Sequence, residues 1–591
     1  MVKSSVENRK ADTTAQGFLR RRRAELLCAL LLLLMAANML SVVARKSITV
    51  DEWVMIPAGF YHLTAGDYRA VNEHPPFAKV VSAAPLLLAD VKAPSINDKQ
   101  VHDYDYFLDV FYDFWHSNAA RFDYLTFWAR VPVVLVTLLL GALVFLFARK
   151  LWGTRAALVA VALFTLEPTV LAHGRVVQTD IPSALALLLF SFAFYEYLKA
   201  PERKRAAYTG LAAGFAAVTK FSMIVLAPLL AVALAALFFV APRRGLRRKF
   251  VVGHAALITF AAMFAVNAAY FFHHRRPEPL DDALARLVVP ASMSQQLHAP
   301  LEAGYYALQI IFPEDFVSGI GWQLGHAHNG HPAGLLGDYR TKGWWYYFPV
   351  AFALKTPLPI LLLSVAALAW AVLRLRRKLE GRLLALVLPV VLFTLLLMMS
   401  TINIGVRYYL PAYPFFFILA GAMLDDLLRR SARRLLTVSV LVAAIFCWVG
   451  VEAARAWPDQ MTYMNQLAAS RPHWWYLSDS NVEWGDDIRD LALYLRERGE
   501  TEVGAAILEW QLLSIYGIEG APIFVPPGER PADVRYVAIG ASLLNGSVVP
   551  GSFDNGVELS ESERVNYFDE FRRRTPEKVF GGSIYLYRMK E

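Results

Sequence analysis

The chain has 591 residues, 56% of them hydrophobic and only 18% charged. Soluble globular chains carry about 25% charged residues, so an ordinary water-soluble fold is excluded. The formal charge of +9 falls in short tracts between apolar runs, and no soluble stretch has the basic, aromatic-interleaved stripe that nucleic-acid binding needs.

Residues 1–24 read as a basic N-terminus ending in Arg20–Arg23. The apolar run Leu26–Val43 is longer than the core of about 7–15 residues found in a signal peptide, and no small-residue cleavage site follows, so an uncleaved first span is expected. Apolar runs of about 18 residues cross a hydrocarbon core of about 30 Å as helices, which satisfy their own backbone hydrogen bonds. The short alternating segments of a barrel are absent. About eleven such helices are predicted on this criterion, at 25–44, 130–148, 155–172, 180–198, 206–219, 221–241, 250–271, 346–372, 382–400, 409–424 and 434–452. Cys28 and Cys447 both lie inside apolar runs, so no disulfide framework is expected.

Every second connection is rich in Lys and Arg. These are Arg20–Arg23, then Arg149, Lys150 and Arg155, then Lys199 and Arg203–Arg205, then Arg243–Lys249, then Arg374–Lys378, then Arg429–Arg434. Basic connections belong in the cytoplasm, which places the N-terminus inside and, with an odd number of spans, the C-terminal end outside. Two outer connections are long, 46–127 and 273–345. Phe77–Leu88 and the aromatic-dense Tyr104–His116 suit helices lying at the membrane interface. The membrane domain is expected over 25–454. Beyond it, 455–591 reads as a small α/β domain, with a helix over Asp486–Arg498 and strands at Val503–Leu508, Tyr536–Ile539 and Ile584–Tyr587.

The outer face gathers acids and bases near span ends: Asp51-Glu52, Glu73-His74-Pro75-Pro76 with Lys79, Thr179-Asp180-Ile181-Pro182, Lys220, and Arg407-Tyr408-Tyr409. Singly, each has a bland reading. Asp180 with Pro182 suits a helix start, Lys220 and Arg407 suit snorkelling, and Lys79 suits the polar side of an amphipathic helix. Together they form the set a catalytic cleft requires. A carboxylate can act as general base toward a hydroxyl or amine, and Arg and Lys can hold a phosphate. A phosphate leaving group needs no separate acid, so the set suits transfer from a lipid-linked phosphate donor.

With Thr219-Lys220, Gly343-Trp344-Trp345-Tyr346-Tyr347-Phe348, Lys355-Thr356-Pro357 and Arg407-Tyr408-Tyr409-Leu410-Pro411 added, the chain resembles the GT-C superfamily of membrane glycosyltransferases. It is most similar to glycosyltransferase family 39, the bacterial relatives of protein O-mannosyltransferases and lipid A aminoarabinose transferases. The resemblance covers about residues 25–425. It implies a polyprenyl-phosphate sugar as donor, a protein, lipid or glycan as acceptor, and inversion at the anomeric carbon. On that likeness Asp51 is the expected general base, with Glu52 positioning it or the acceptor and Asp180 shaping the site. Glu73, His74, Lys79, Lys220, Arg407 and Tyr408 are expected around the donor phosphate or sugar. The lipid-linked sugar phosphate is a co-substrate, and no cofactor is expected. The alanine- and arginine-rich composition leans toward a bacterial inner membrane.

Gly325-His326-Ala327-His328-Asn329-Gly330-His331 invites a metal reading, but no cysteine or well-placed carboxylate completes a ligand set, and a loop closing over substrate is expected instead. Asp479-Ser480-Asn481 and Glu483–Asp487 read better as a helix-capping turn than as an acceptor site. A secondary transporter, the alternative, predicts inverted repeats and midplane ionisable residues. The sequence has no repeat, and its ionisable residues gather at one face.

Overall fold

The computed structural model describes residues 2–97, 104–280, 291–430, 435–526, 533–553 and 556–590. Among them, nine helices are long and apolar enough to cross a membrane. The two further predicted spans are also helical but short. One is Thr154–Leu166, which stops at Glu167 before a separate turn, Pro168–His173. The other is Arg203–Thr219, 17 residues, or about 25 Å at 1.5 Å per residue. It survives by close packing. Gly210 and Gly214, four apart on one face, lie against the backbone of Arg248–Ala269, and a Cβ on Gly210 would come 2.3 Å from the Ile258 carbonyl oxygen. Small residues at such spacing let two membrane helices approach backbone to backbone.

The bundle sorts its charges to two ends. At one end the predicted cytoplasmic bases meet acids across helices, as in Arg149–Glu25, Lys150–Glu196, Arg155–Asp425 and Arg374–Asp426. At the other end the long connection after the first span forms helices Val50–Ala65, Pro76–Ala83 and Tyr104–Ser117. The last two fall where amphipathic helices were expected.

The C-terminal end forms a five-stranded sheet. Its strands are β3 (Glu502–Ala506), β4 (Glu519–Pro522), β5 (Tyr536–Gly540), β6 (Lys578–Phe580) and β7 (Ile584–Arg588), following a small hairpin of β1 (Ala333–Leu335) and β2 (Asp338–Arg340). The order is β4-β3-β5-β7-β6; β3 pairs parallel with β4 and β5, and β7 pairs antiparallel with β5 and β6. The predicted helix runs over Ile488–Arg496. β4 and β6 had no sequence forecast: they are only four and three residues long, too short for a period-2 pattern to register.

This layer is not a loose appendage. Phe111, Phe114 and Trp115 of helix Tyr104–Ser117, expected at the membrane interface, instead share one hydrophobic core with Leu491, Leu512 and Leu586. Residues 457–487 run between the layer and the bundle. Lys355, fully buried, donates to the carbonyls of Met461 and Asn481, both at 2.6 Å. Asn465 donates to Ala353 and Thr356. The capping-turn reading of this segment fails. The Asp487 carboxylate makes no cap and is spent on Lys46 and on the Ser583 hydroxyl, while Asp486 pairs with Arg175 at 3.1 Å. These acids join the layer to the membrane bundle.

Candidate active site

The site is built from the start of helix Val50–Ala65. Glu52 is completely buried. Its oxygens accept from Arg130 Nε at 2.7 Å and Nη2 at 2.6 Å, from the Thr49 amide at 2.8 Å and from the Val177 amide at 2.9 Å. Arg130 also donates to the carbonyls of Lys46 and Ser47. A buried bidentate pair with its remaining hydrogen-bonding capacity used is rigid. It ties three segments together and fixes the residue before it, Asp51, in the first turn of the helix.

Asp51 points the other way, into an ion pair with Arg407. Arg407 opens the 3₁₀ turn Val406–Ala412 at the head of a span. Asp180, the first residue of helix Asp180–Lys199, pairs with Lys220. Lys220 sits in the extended break between helix Arg203–Thr219 and the 3₁₀ turn Phe221–Val225. Its ammonium lies 3.6 Å from the centre of the Tyr408 ring, and the Arg407 guanidinium lies 4.2 Å from the Trp484 ring. Asp51, Asp180, Lys220, Arg407 and Tyr408, drawn from four separate stretches of chain, therefore converge. Two polar atoms here are buried and unpartnered, Asp180 Oδ2 and Arg407 Nε. Buried polar groups are nearly always satisfied, by ordered water where the protein supplies no partner, so an acid and a base here each retain capacity that a water or a ligand can use.

Burial works to raise the Asp51 carboxyl, but Arg407, with His74 and Lys220 behind it, outweighs burial and holds it below the usual carboxylate range. His74 is within the field of Asp51. Burial pulls its imidazole down, Glu73 and Asp51 resist, and the net shift is downward. Both groups thus rest in the state a base needs, carboxylate ionised and imidazole neutral.

Lys79 lies elsewhere. Its buried ammonium donates to the carbonyl of Val71 at 2.7 Å, where the backbone turns through φ 56°, and it serves that turn. Glu73 is half-buried, and its carbonyl accepts from the Gln323 side chain.

The aromatic motif acts at one remove. Gly343, at φ 59°, has Asn403 where a Cβ would stand, and Asn403 accepts from the Trp344 amide at 2.7 Å. Tyr347 accepts from Asn481 at 2.9 Å, and Phe348 stacks on Tyr408.

The histidine segment differs from expectation. Gly325–Asn329 is the end of helix Glu314–Asn329, not a loop. His326 Nε2 lies 3.2 Å from His331 Nδ1, and His331 reaches Asp479 at 3.5 Å. Burial, then His331 and His74, push His326 down to about 4. Among the described residues no group of three or more His, Cys, Asp or Glu is placed to hold a metal.

The 3₁₀ turn that follows Lys220 contributes Met223 and Ile224 to an apolar hollow of about 1140 Å³, which Leu230, Phe316, Val317 and Ile320 also line, and the Met223 amide donates to the Lys220 carbonyl at 2.9 Å.

Residues 121–270 match the family model of dolichyl-phosphate-mannose-protein mannosyltransferase. The resemblance to GT-C membrane glycosyltransferases is thereby borne out, and the matched segment holds Arg130, Arg175, Asp180 and Lys220. No curated protein matches the chain. Among solved structures, it is similar to ArnT from Cupriavidus metallidurans bound to undecaprenyl phosphate, at 17% identity over 73% of this chain and 70% of that one, TM-score 0.44. It is also similar to the apo oligosaccharyltransferase of Archaeoglobus fulgidus, at 11% identity over 86% and 61%, TM-score 0.45. The oligosaccharyltransferase AglB from the same organism, in complex with an inhibitory peptide and a dolichol-phosphate, gives 11% identity over 86% and 61%, TM-score 0.44. Similarity at this level assigns no residue a role.

Sequence reasoning passed over Lys46, Arg130 and Arg175, although they had a readable signal, since charges beside or within apolar spans are expensive and kept for a reason. Trp484 lay within the segment read as a capping turn, and its pairing with Arg407 had no local signal because that partner is distant in sequence.

Proposed function

We propose that the protein is a membrane glycosyltransferase that moves a sugar from a polyprenyl-phosphate donor to an acceptor hydroxyl at the extracytoplasmic face of a bacterial inner membrane. One observation carries this reading: two acid–base pairs, Asp51–Arg407 and Asp180–Lys220, converge, and the turn that follows Lys220 lines a large apolar hollow. A lipid-linked phosphate has that division, a long apolar tail and a compact anion.

In the proposed reaction the tail lies in the hollow and the phosphate is held by Lys220 and Arg407. The Asp51 carboxylate takes the proton of the acceptor hydroxyl. The acceptor oxygen bonds to the anomeric carbon as the bond from that carbon to the phosphate oxygen breaks. Polyprenyl phosphate leaves with the bonding electrons, and Lys220 and Arg407 stabilise the charge it gains. A single displacement inverts the anomeric carbon. Glu52 is a positioning residue acting through Asp51, and Asp180 orients Lys220. Tyr408 shields that ammonium on one face, while neutral His74 stands beside the base.

Purified protein supplied with a polyprenyl-phosphate hexose and an acceptor is expected to release polyprenyl phosphate. Asp51→Asn is expected to stop it while leaving the protein folded; a fully active Asp51→Asn variant overturns the assignment of the base.

A further inference from the structure

We propose that the C-terminal layer completes the active site by supplying Glu509, whose carboxylate holds a second hydroxyl of a carbohydrate acceptor beside the one that reacts. This rests on the transfer reading above.

Glu509 follows the C-terminal end of β3. The residue before it is locked by the segment that also shapes the site: the Leu508 amide donates to Glu483 at 2.9 Å, and the Ser542 amide to the other Glu483 oxygen at 2.8 Å. The residue after Glu483 is Trp484, which lies under Arg407, the partner of Asp51. A short, rigid path therefore runs from Glu509 to the proposed base. The two carboxylates feel each other: burial and then Asp51 raise Glu509, to about 7.

Two features show that the side chain is not there for the fold. Its backbone sits at φ 56°, a conformation that Gly or Asn adopts far more readily than Glu. Its backbone carbonyl is used, by the Leu512 amide at 3.0 Å, but among the described residues no hydrogen bond or ion pair reaches its carboxylate. Strained backbone held by a well-bonded frame recurs at functional sites, and Asp479, also at positive φ, acts on Arg407 electrostatically.

The charge tells which part of the substrate meets it. An unpaired carboxylate repels a phosphate, so Glu509 cannot face the donor's anion, which belongs to Lys220 and Arg407. The carboxylate beside it in the field, Asp51, is the proposed base toward the acceptor, so Glu509 is assigned to the acceptor and not to the donor. Raised to about 7, the group is present in both states near neutral pH; in either state a carboxyl hydrogen-bonds a hydroxyl, accepting its O–H when ionised and able also to donate when protonated. Asp51 already takes the reacting hydroxyl, so the natural partner of Glu509 is a neighbouring hydroxyl, as a sugar presents and a simple alcohol does not.

The test uses the full-length protein, a polyprenyl-phosphate hexose, and two acceptors, β-octyl glucoside and 1-octanol. Wild type is expected to favour the glucoside. Glu509→Asn, which suits the backbone and lacks the charge, is expected to raise the glucoside KM by about tenfold or more, with the octanol KM and the donor KM unchanged. Glu509→Gly is expected to keep or raise Tm while showing the same KM change, and Glu509→Asp to recover part of it. An unchanged glucoside KM, or equal losses on both alcohols, overturns the proposal. Wild type that cleaves donor but uses neither alcohol overturns the acceptor assignment and leaves the transfer reading standing. Wild type that never releases polyprenyl phosphate overturns the transfer reading itself.

Discussion

The two charged ends of the helical bundle are built from the same residue types and do different work. At the basic end, pairs such as Arg149–Glu25 and Arg430–Asp426 are open, with side-chain exposures of 40%/41% and 66%/21%. At the other end, Arg130–Glu52 and Arg175–Asp486 are closed, at 1%/0% and 0%/3%. Exposed pairs contribute about 0–1 kcal/mol each. Buried pairs contribute little net stability, yet removing one partner is severe, because the other charge is stranded. The open end can act only through its summed charge, the property expected to orient a membrane protein, whereas the closed end fixes individual atoms, as the proposed base at Asp51 demands.

The largest effect is expected where the closed end meets chemistry. A general base contributes about 10²- to 10⁴-fold to rate, so Asp51→Asn is expected to lower turnover by that order, measured as polyprenyl-phosphate release. Next comes the pair behind it. Arg130→Met leaves the Glu52 carboxylate buried without its cation, at an expected cost of about 3–5 kcal/mol, read as loss of folded protein in detergent. The double variant Glu52→Gln, Arg130→Met removes both charges and is expected to regain most of that stability but little activity, because Asp51 loses its fixed neighbour. A double variant no better than the single one contradicts the stranded-charge account.

A smaller effect separates the ends by pH. The folded pKa of His74 lies below its unfolded value, so between the two the unfolded chain binds more protons and stability rises with pH. The contribution is fully present above the unfolded value of about 6.5 and is lost as pH falls toward the folded value. His74→Gln is expected to flatten this acid limb in Tm measured against pH. An unchanged limb would place the titrating group elsewhere.

The membrane architecture was legible because hydropathy and Lys/Arg bias are local properties, and among the described residues each predicted span overlaps a helix, although 346–372 is broken at Thr356-Pro357 into Tyr347–Lys355 and the membrane-length Leu358–Arg377. The charged set was legible as a list of residues near span ends, but its pairing was not. Asp51 and Arg407 are 356 positions apart, and Lys46 and Asp487 are 441 apart, and no window along a chain records such distances. Asp486 and Asp487 looked like helix caps because their local setting is that of a cap. Their use by Arg175 and Lys46 is a property of docking two layers. Lys79 shows the converse: its place in an amphipathic helix already suggested a structural job, and its ammonium holds the Val71 turn.

The smallest effect is expected at the open end, and a small value there is informative. Arg430 pairs with Asp426 one helical turn away, at 3.1 Å, but Asp426 also holds Arg374 at 3.3 Å and the Trp370 indole at 3.1 Å. Arg430→Ala therefore strands nothing. An i,i+4 pair contributes about 0.3–0.5 kcal/mol, and the basic tract keeps its other charges, so orientation is retained. Tm is expected to move by no more than about 1–2 °C, with release of polyprenyl phosphate unchanged. A loss comparable with that of Arg130→Met would mean that this end, too, is built from dependent pairs, and the contrast between orienting and positioning charges would fail.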